Sequence, residues 1–219
     1  MTLLGVRLYG MAGFMRSKSV ETLLRYGLQV FLFCALSAVI HPASAKSLPV
    51  NNRLGGDFEL ASTLADAKGK PGQVAKLSDF QGKVVLLNFG YTHCPDICPM
   101  VLARMTQVVK RLGDDADSVQ GLFVSFDPQR DTATRLQEYL AYFNPGFVGF
   151  TGSEPQIAKA AQKYGVIFMP QQDDSAAGLL FAHSDFIYLL DQQGRVRALF
   201  ATDTPLQKMV DDVRSLISE

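Results

Sequence analysis

The run Val84-Val85-Leu86-Leu87-Asn88-Phe89 constrains this chain more than any other stretch. A strand with one wet face alternates apolar and polar residues, whereas an almost unbroken apolar run fits a strand buried on both faces. Such a strand lies inside a sheet that other elements must cover. The sequence supplies them. From Pro99 to Leu112, Val101, Leu102, Met105, Val108, Val109 and Leu112 recur at helical spacing, and Gly113 marks the end. Val119 to Phe126 is a second apolar strand, stopped by Asp127-Pro128. Thr132 to Phe143 is helical with Leu136, Tyr139, Leu140 and Phe143 inward, and Phe147 to Phe150 is a short strand. Glu154 to Tyr164 is helical, with Ser153 as its cap and Gly165 as its end.

The flanks complete the pattern. Asp57-Phe58-Glu59-Leu60 reads as a short edge strand, and Leu77 to Lys83 as the turn into the central run. Val166 to Met169 is strand-like, and Pro170 to Gly178 is a polar loop. Phe186 to Leu190 and Val196 to Phe200 flank the turn Asp191-Gln192-Gln193-Gly194 and read as a hairpin. Thr204-Pro205 opens a last helix with Leu206, Met209, Val210, Val213, Leu216 and Ile217 on one face. Alternation through the middle and an antiparallel end predict an α/β fold, a thioredoxin-like central mixed sheet flanked by helices. Residues 46–219 are the expected domain. With 47% apolar residues and 19% charged, the chain has material for a full core.

Residues 1–45 read as an export segment. Basic residues up to Arg25 precede an uncharged stretch built around Val30-Phe31-Leu32-Phe33-Cys34-Ala35-Leu36, then His41-Pro42 and the small-x-small pattern Ala43-Ser44-Ala45. The uncharged run from Tyr26 to Ala45 also reaches the roughly 20 residues of a membrane anchor. The short apolar part and the proline favour a cleaved signal over a retained anchor. Either reading puts the body on the periplasmic side of the inner membrane, with the basic residues left inside. Cys34 reads as apolar filler among bulky neighbours, and Met11 and Met15 are alternative starts. Formal charge is zero overall, but four bases and one acid fall in residues 1–45, which leaves 17 basic against 20 acidic side chains beyond. A mildly acidic body without a Lys/Arg cluster argues against nucleic acid as a partner.

Removing the export segment leaves two cysteines, Cys94 and Cys98, in Asn88-Phe89-Gly90-Tyr91-Thr92-His93-Cys94-Pro95-Asp96-Ile97-Cys98-Pro99. Residues at i and i+4 share one face of a helical turn, so both sulfurs can meet one metal ion or each other. A helix starting near Pro99 aims its positive end at Cys98 and favours the thiolate there. A purely structural disulfide is disfavoured, because so small a loop constrains the unfolded chain little. Two histidines remain. His93 reads chiefly as a loop side chain. His183, taken alone, reads as a hydrogen-bonded residue at a strand entrance, but a thioredoxin-like topology brings the loop before the hairpin beside the cysteines. Two thiolates and an imidazole make a soft, low-coordinate site suited to Cu(I), whereas zinc usually wants a fourth ligand.

The loop Asp127-Pro128-Gln129-Arg130-Asp131-Thr132 reads equally as a strand end with a helix cap from Asp131 or Thr132 and as part of a site at the carboxyl ends of the strands. Tyr91 and Phe181 are candidates to wall the site, with core or rim packing as their plainer role. Asp114-Asp115 and Asp211-Asp212 read as solvated helix-end charges. The sequence has no phosphate-binding glycine loop, no G-x-S-x-G and no nucleotide fingerprint.

The strings Gly82 to Leu86, Phe89 to Pro99 and Val124 to Thr132, with His183 and Tyr188-Leu189-Leu190-Asp191, resemble the SCO/SenC family. The likeness runs in order from about Phe58 to Ser218. It implies a thioredoxin-like fold, a copper chaperone acting in cytochrome c oxidase assembly, and copper bound by Cys94, Cys98 and His183. Family members often carry an aspartate just before the histidine, where this chain has Ala182.

The expected function is therefore a metallochaperone that holds Cu(I), with Cu(II) as a second state. It would pass the ion to a copper-containing cytochrome c oxidase subunit, with a second periplasmic copper chaperone or a thiol reductant as further partners. The alternatives are a thiol–disulfide oxidoreductase, in which Cys94 attacks and Cys98 resolves, and a redox or copper sensor. A peroxidase is disfavoured, because no arginine and threonine are arranged with Cys94 in a peroxidatic pattern.

Overall fold

The computed structural model describes residues 47–172 and 179–219, with Gln172 and His183 as backbone only. Residues 1–45, where an export segment is expected, and most of the stretch expected as a polar loop lie outside these residues. Among the described residues, no helix is long and apolar enough to cross a membrane.

A seven-stranded mixed sheet forms the centre, made of β1 (Glu59–Ser62), β2 (Val74–Lys76), β3 (Val84–Gly90), β4 (Val119–Ser125), β5 (Val148–Thr151), β8 (Ile187–Leu190) and β9 (Val196–Phe200). Its order is β2-β1-β5-β4-β3-β8-β9. Strands β3, β4 and β5 run parallel, and antiparallel pairs extend the sheet on both sides. All seven residues of β3 are buried, as its composition requires. Its side chains divide by parity. Val85, Leu87 and Phe89 enter a core shared with helix α3 (Glu154–Lys163), while Val84 and Leu86 enter a core shared with α1 (Ile97–Leu112), α2 (Ala133–Ala141) and α4 (Leu206–Ile217). The Asn88 amide donates to the Phe186 carbonyl at 3.1 Å, tying β3 to the entrance of β8 beyond the backbone ladder.

Three expectations need correction. The strand read at Asp57 to Leu60 is β1, but β2 pairs with it and takes the edge. Val74–Lys76 offered only a short, half-polar run, too brief for a periodic signal. The strand read at Val166 to Met169 begins at Phe168 and runs to Gln172 as β6, so Pro170 and Gln171 belong to a strand and not to a loop. Its partner is β7 (Leu179–His183), and the two form a separate ribbon outside the main sheet. His183 thus ends a strand and is not a loop residue.

Helix α1 begins at Ile97, two residues before the expected start. Pro99 occupies the third helical position, where its missing N–H has no intrahelical partner to lose. The helix ends where expected, at Gly113 with φ +63°. Thr132 accepts from the Arg135 N–H at 3.2 Å and is the cap of α2, while Ser153 forms a capping box with Gln156 at α3.

Candidate metal centre

The earlier start of α1 changes the chemistry of the cysteine pair. Cys98 is now the second residue of the helix, and its N–H is one of the orphan donors of the first turn. That N–H points at the Cys94 sulfur, 3.5 Å away, while the preceding Asp96 makes no side-chain cap. The positive end of the helix therefore serves Cys94, the reverse of the expectation from sequence. Cys98 is 1% exposed and Cys94 half-buried; both stand as thiols. A hydrogen bond with Cys94, reinforced by burial, pushes the Cys98 thiol far above its ordinary pKa. The pair is thus asymmetric, with a half-buried sulfur facing a backbone N–H and a buried one whose thiol pKa is raised.

Gly90 ends β3 beneath this pair. A Cβ there would fall 2.8 Å from Cys98 Sγ and 2.9 Å from the Phe123 ring, so only glycine lets the strand pass under the buried thiol. The next residue, Tyr91, is buried against Phe126 and Phe181, with ring centroids 5.4 and 5.1 Å away. Its hydroxyl hydrogen-bonds Cys94 and accepts from the Phe181 N–H at 3.3 Å. Burial raises the phenol pKa, and both cysteines add to the rise. Tyr91 therefore both packs as an aromatic and borders the Cys94 thiol, while Phe181 packs against the Tyr91 and Phe126 rings.

Asp131 fixes the other side of the loop. It is fully buried and accepts from the Thr92 N–H at 2.8 Å, the Thr92 hydroxyl at 2.6 Å and the Ser125 hydroxyl at 2.6 Å. Its role is thus to hold the cysteine loop, not to cap α2. His93 lies outward, 40% exposed, with Nδ1 3.1 Å from the Thr92 hydroxyl and 3.7 Å from Asp131. His93, Asp127 and Asp131 present ligand atoms within 4.8 Å of one another. Both carboxylates are already engaged, Asp131 as above and Asp127 with Arg130 at 2.5 Å.

His183 enters through its strand. β7 lies against the cysteine loop through the Phe181–Tyr91 contacts, two residues before its end. Position 183 pairs with Phe168, whose ring stacks on Phe126 at 4.9 Å, and shares parity with Phe181. Ala182 pairs with Met169, and Asp185 accepts from the Thr202 hydroxyl at 3.0 Å, so Asp185 already has a partner elsewhere. Sequence reasoning missed the Tyr91 hydroxyl, the Asp131 clasp on Thr92 and the reach of Arg130 to β7. The only signal was that the Asp127–Thr132 loop follows a strand at its carboxyl end.

A thioredoxin-like sheet with one thiol in the loop after its central strand and a second in the first turn of the next helix defines a class, the dithiol proteins of this fold. Residues 47–218 match SCO1/SenC, and the chain belongs to that family. A SCO2-like protein of Rickettsia conorii is 35% identical over 166 residues, 75% of this chain and 78% of its own length. ScoI of Bradyrhizobium japonicum, solved with copper bound, is 32% identical with a TM-score of 0.65, covering 74% of this chain and 99% of that one. Yeast Sco1 with copper bound gives 32% identity and a TM-score of 0.61 over 74% of this chain and 89% of that one.

Proposed function

We propose that this protein is a copper metallochaperone of oxidase assembly, holding Cu(I) between the Cys94 and Cys98 sulfurs with His183 as the third ligand. One observation carries the reading. Two thiols share a hydrogen bond at the mouth of the sheet, and the strand ending at His183 is bonded to that same loop. Such a donor set is soft and low-coordinate, as Cu(I) prefers. Two solved relatives have copper bound, and Sco proteins are described as a family of cytochrome c oxidase assembly proteins. On this reading copper is cargo, taken up as both thiols lose their protons and passed by ligand exchange to a copper-containing oxidase subunit. Residues 1–45 would export the domain to the periplasmic side of the inner membrane, as a cleaved signal or an anchor. The direct test compares Cu(I) capture by reduced protein and by protein with a Cys94–Cys98 disulfide. Capture by the reduced form alone supports the reading, and full capture by the oxidised form defeats it.

The asymmetry of the thiols supports a second reading, a thiol–disulfide oxidoreductase acting on the copper-site cysteines of the oxidase subunit. Cys94, half-exposed and served by the Cys98 N–H, is built to attack; buried Cys98 is placed to resolve the mixed disulfide. His183→Ala separates the two readings, since exchange would survive it and three-ligand copper binding would not.

A further inference from the structure

The strand that ends at His183 has no place in the main sheet. β6 and β7 form a two-stranded ribbon of their own, and such a ribbon is marginal without outside support. Its aromatic contacts, Phe168 on Phe126 and Phe181 against Tyr91 and Phe126, bury area but fix no register along the strand. Directional contacts come from two side chains outside the proposed ligand set. Arg130 donates from Nη2 to the Leu179 carbonyl at 2.8 Å, and Tyr91 accepts from the Phe181 N–H at 3.3 Å. Leu179, Phe181 and His183 are alternate residues of one strand, so the two bonds grip the positions just upstream of the histidine in its own register.

The grip is rooted in the rigid part of the fold. Arg130 is ion-paired at 2.5 Å to buried Asp127, just past the end of β4, and its guanidinium lies over the Tyr91 ring, 5.9 Å from the centroid. Tyr91 follows the end of β3, and its hydroxyl also bonds Cys94. One phenol thus touches both the thiol and the strand that brings the histidine.

We infer that Tyr91 and Arg130 are positioning residues, a clamp that holds β7 so that His183 stays beside the dithiol. The inference rests on the three-ligand reading above. Neither residue contributes a ligand atom; each acts through the placement of the strand. Ala182 bears on this. Ala182 offers the histidine no carboxylate from its own strand, so the two bonds upstream carry more weight.

The test is a double-mutant cycle on the full-length reduced protein, reading Cu(I) affinity by competition with a chromophoric chelator. Tyr91→Phe removes only the hydroxyl, so the fold is kept. It should weaken Cu(I) binding roughly five-fold, the size of one neutral hydrogen bond, and have no further effect in a His183→Ala background. Arg130→Gln paired with Asp127→Asn should behave alike without stranding a buried charge, and Arg130→Lys should restore only part of the affinity. In the Cu(II) form, Tyr91→Phe should reduce the nitrogen hyperfine signature of the imidazole, a change that general destabilisation would not produce. An equal loss in both backgrounds, meaning an effect on the thiols themselves, overturns the clamp. So does no loss in either. If His183→Ala itself leaves affinity unchanged, the three-ligand reading falls and takes the clamp with it, an outcome distinct from the other two.

Discussion

Asp131 provides the sharpest quantitative prediction. Its carboxylate is fully buried and accepts three hydrogen bonds, two from Thr92 and one from Ser125. A hydrogen bond to a charged group contributes about 1.5–3 kcal/mol, and stranding a buried donor costs about 1–3 kcal/mol. Asp131→Ala strips all three donors at once. Because the bonds share one acceptor the losses overlap, and about 4 kcal/mol is expected. Asp131→Asn is milder. A carboxamide oxygen at the Oδ2 position keeps the Thr92 N–H and the Ser125 hydroxyl, and the Thr92 hydroxyl turns to accept from the new NH2 while facing His93 Nδ1. About 1–2 kcal/mol is expected there. The assay is denaturant unfolding of the reduced protein followed by circular dichroism, since the chain has no tryptophan. The alanine variant should also release the Thr92-His93-Cys94 loop and alter the alkylation rate of Cys94. An alanine variant within about 1 kcal/mol of wild type refutes the clasp, as does an asparagine variant as damaged as the alanine one.

Three further outcomes are expected. Gly90→Ala drives a Cβ into Cys98 Sγ and Phe123, so it should cost about 1–3 kcal/mol and slow disulfide formation, measured by unfolding and by timed thiol oxidation. A limiting alkylating reagent near neutral pH should label Cys94 well before Cys98, which is buried with its pKa raised; peptide mapping showing the reverse order would contradict the asymmetry. Asp191 is held below the ordinary carboxylate range: burial raises its pKa, but the Arg195 N–H, the Arg197 and Arg195 guanidinium groups and the Gln193 N–H outweigh it. A lowered folded pKa contributes stability that is present above the unfolded value of about 4 and lost as pH falls through the folded one. Unfolding measured across acid pH should therefore show a loss that Arg197→Gln flattens, on top of about 3 kcal/mol for breaking a buried pair.

Where the sequence carried strong periodicity, the fold was legible. The Val84 to Phe89 run, the Val119 strand, the closing hairpin and the last helix all stand close to where their patterns put them. The elements that escaped are short or polar. β2 has three residues, and β7 follows a stretch with no pattern. The residue types of the proposed site stand in the string, but the geometry of the cysteine loop does not. Nothing in the string said that Pro99 would sit inside the helix, and that single offset decides which sulfur receives the N–H. Asp131 and Thr132 were indistinguishable as caps until the fold sent one carboxylate inward to Thr92. The reach of Arg130 to β7 depends on a ribbon without a periodic signature.

The central claim is a three-ligand copper site, and a Cu(I) titration of the reduced protein and of its His183→Ala variant against a chromophoric competitor tests it most directly. One tight equivalent, weakened by the substitution, is the result expected. Weak binding indifferent to His183 would contradict the chaperone reading and leave thiol exchange between Cys94 and Cys98 as the activity of the site.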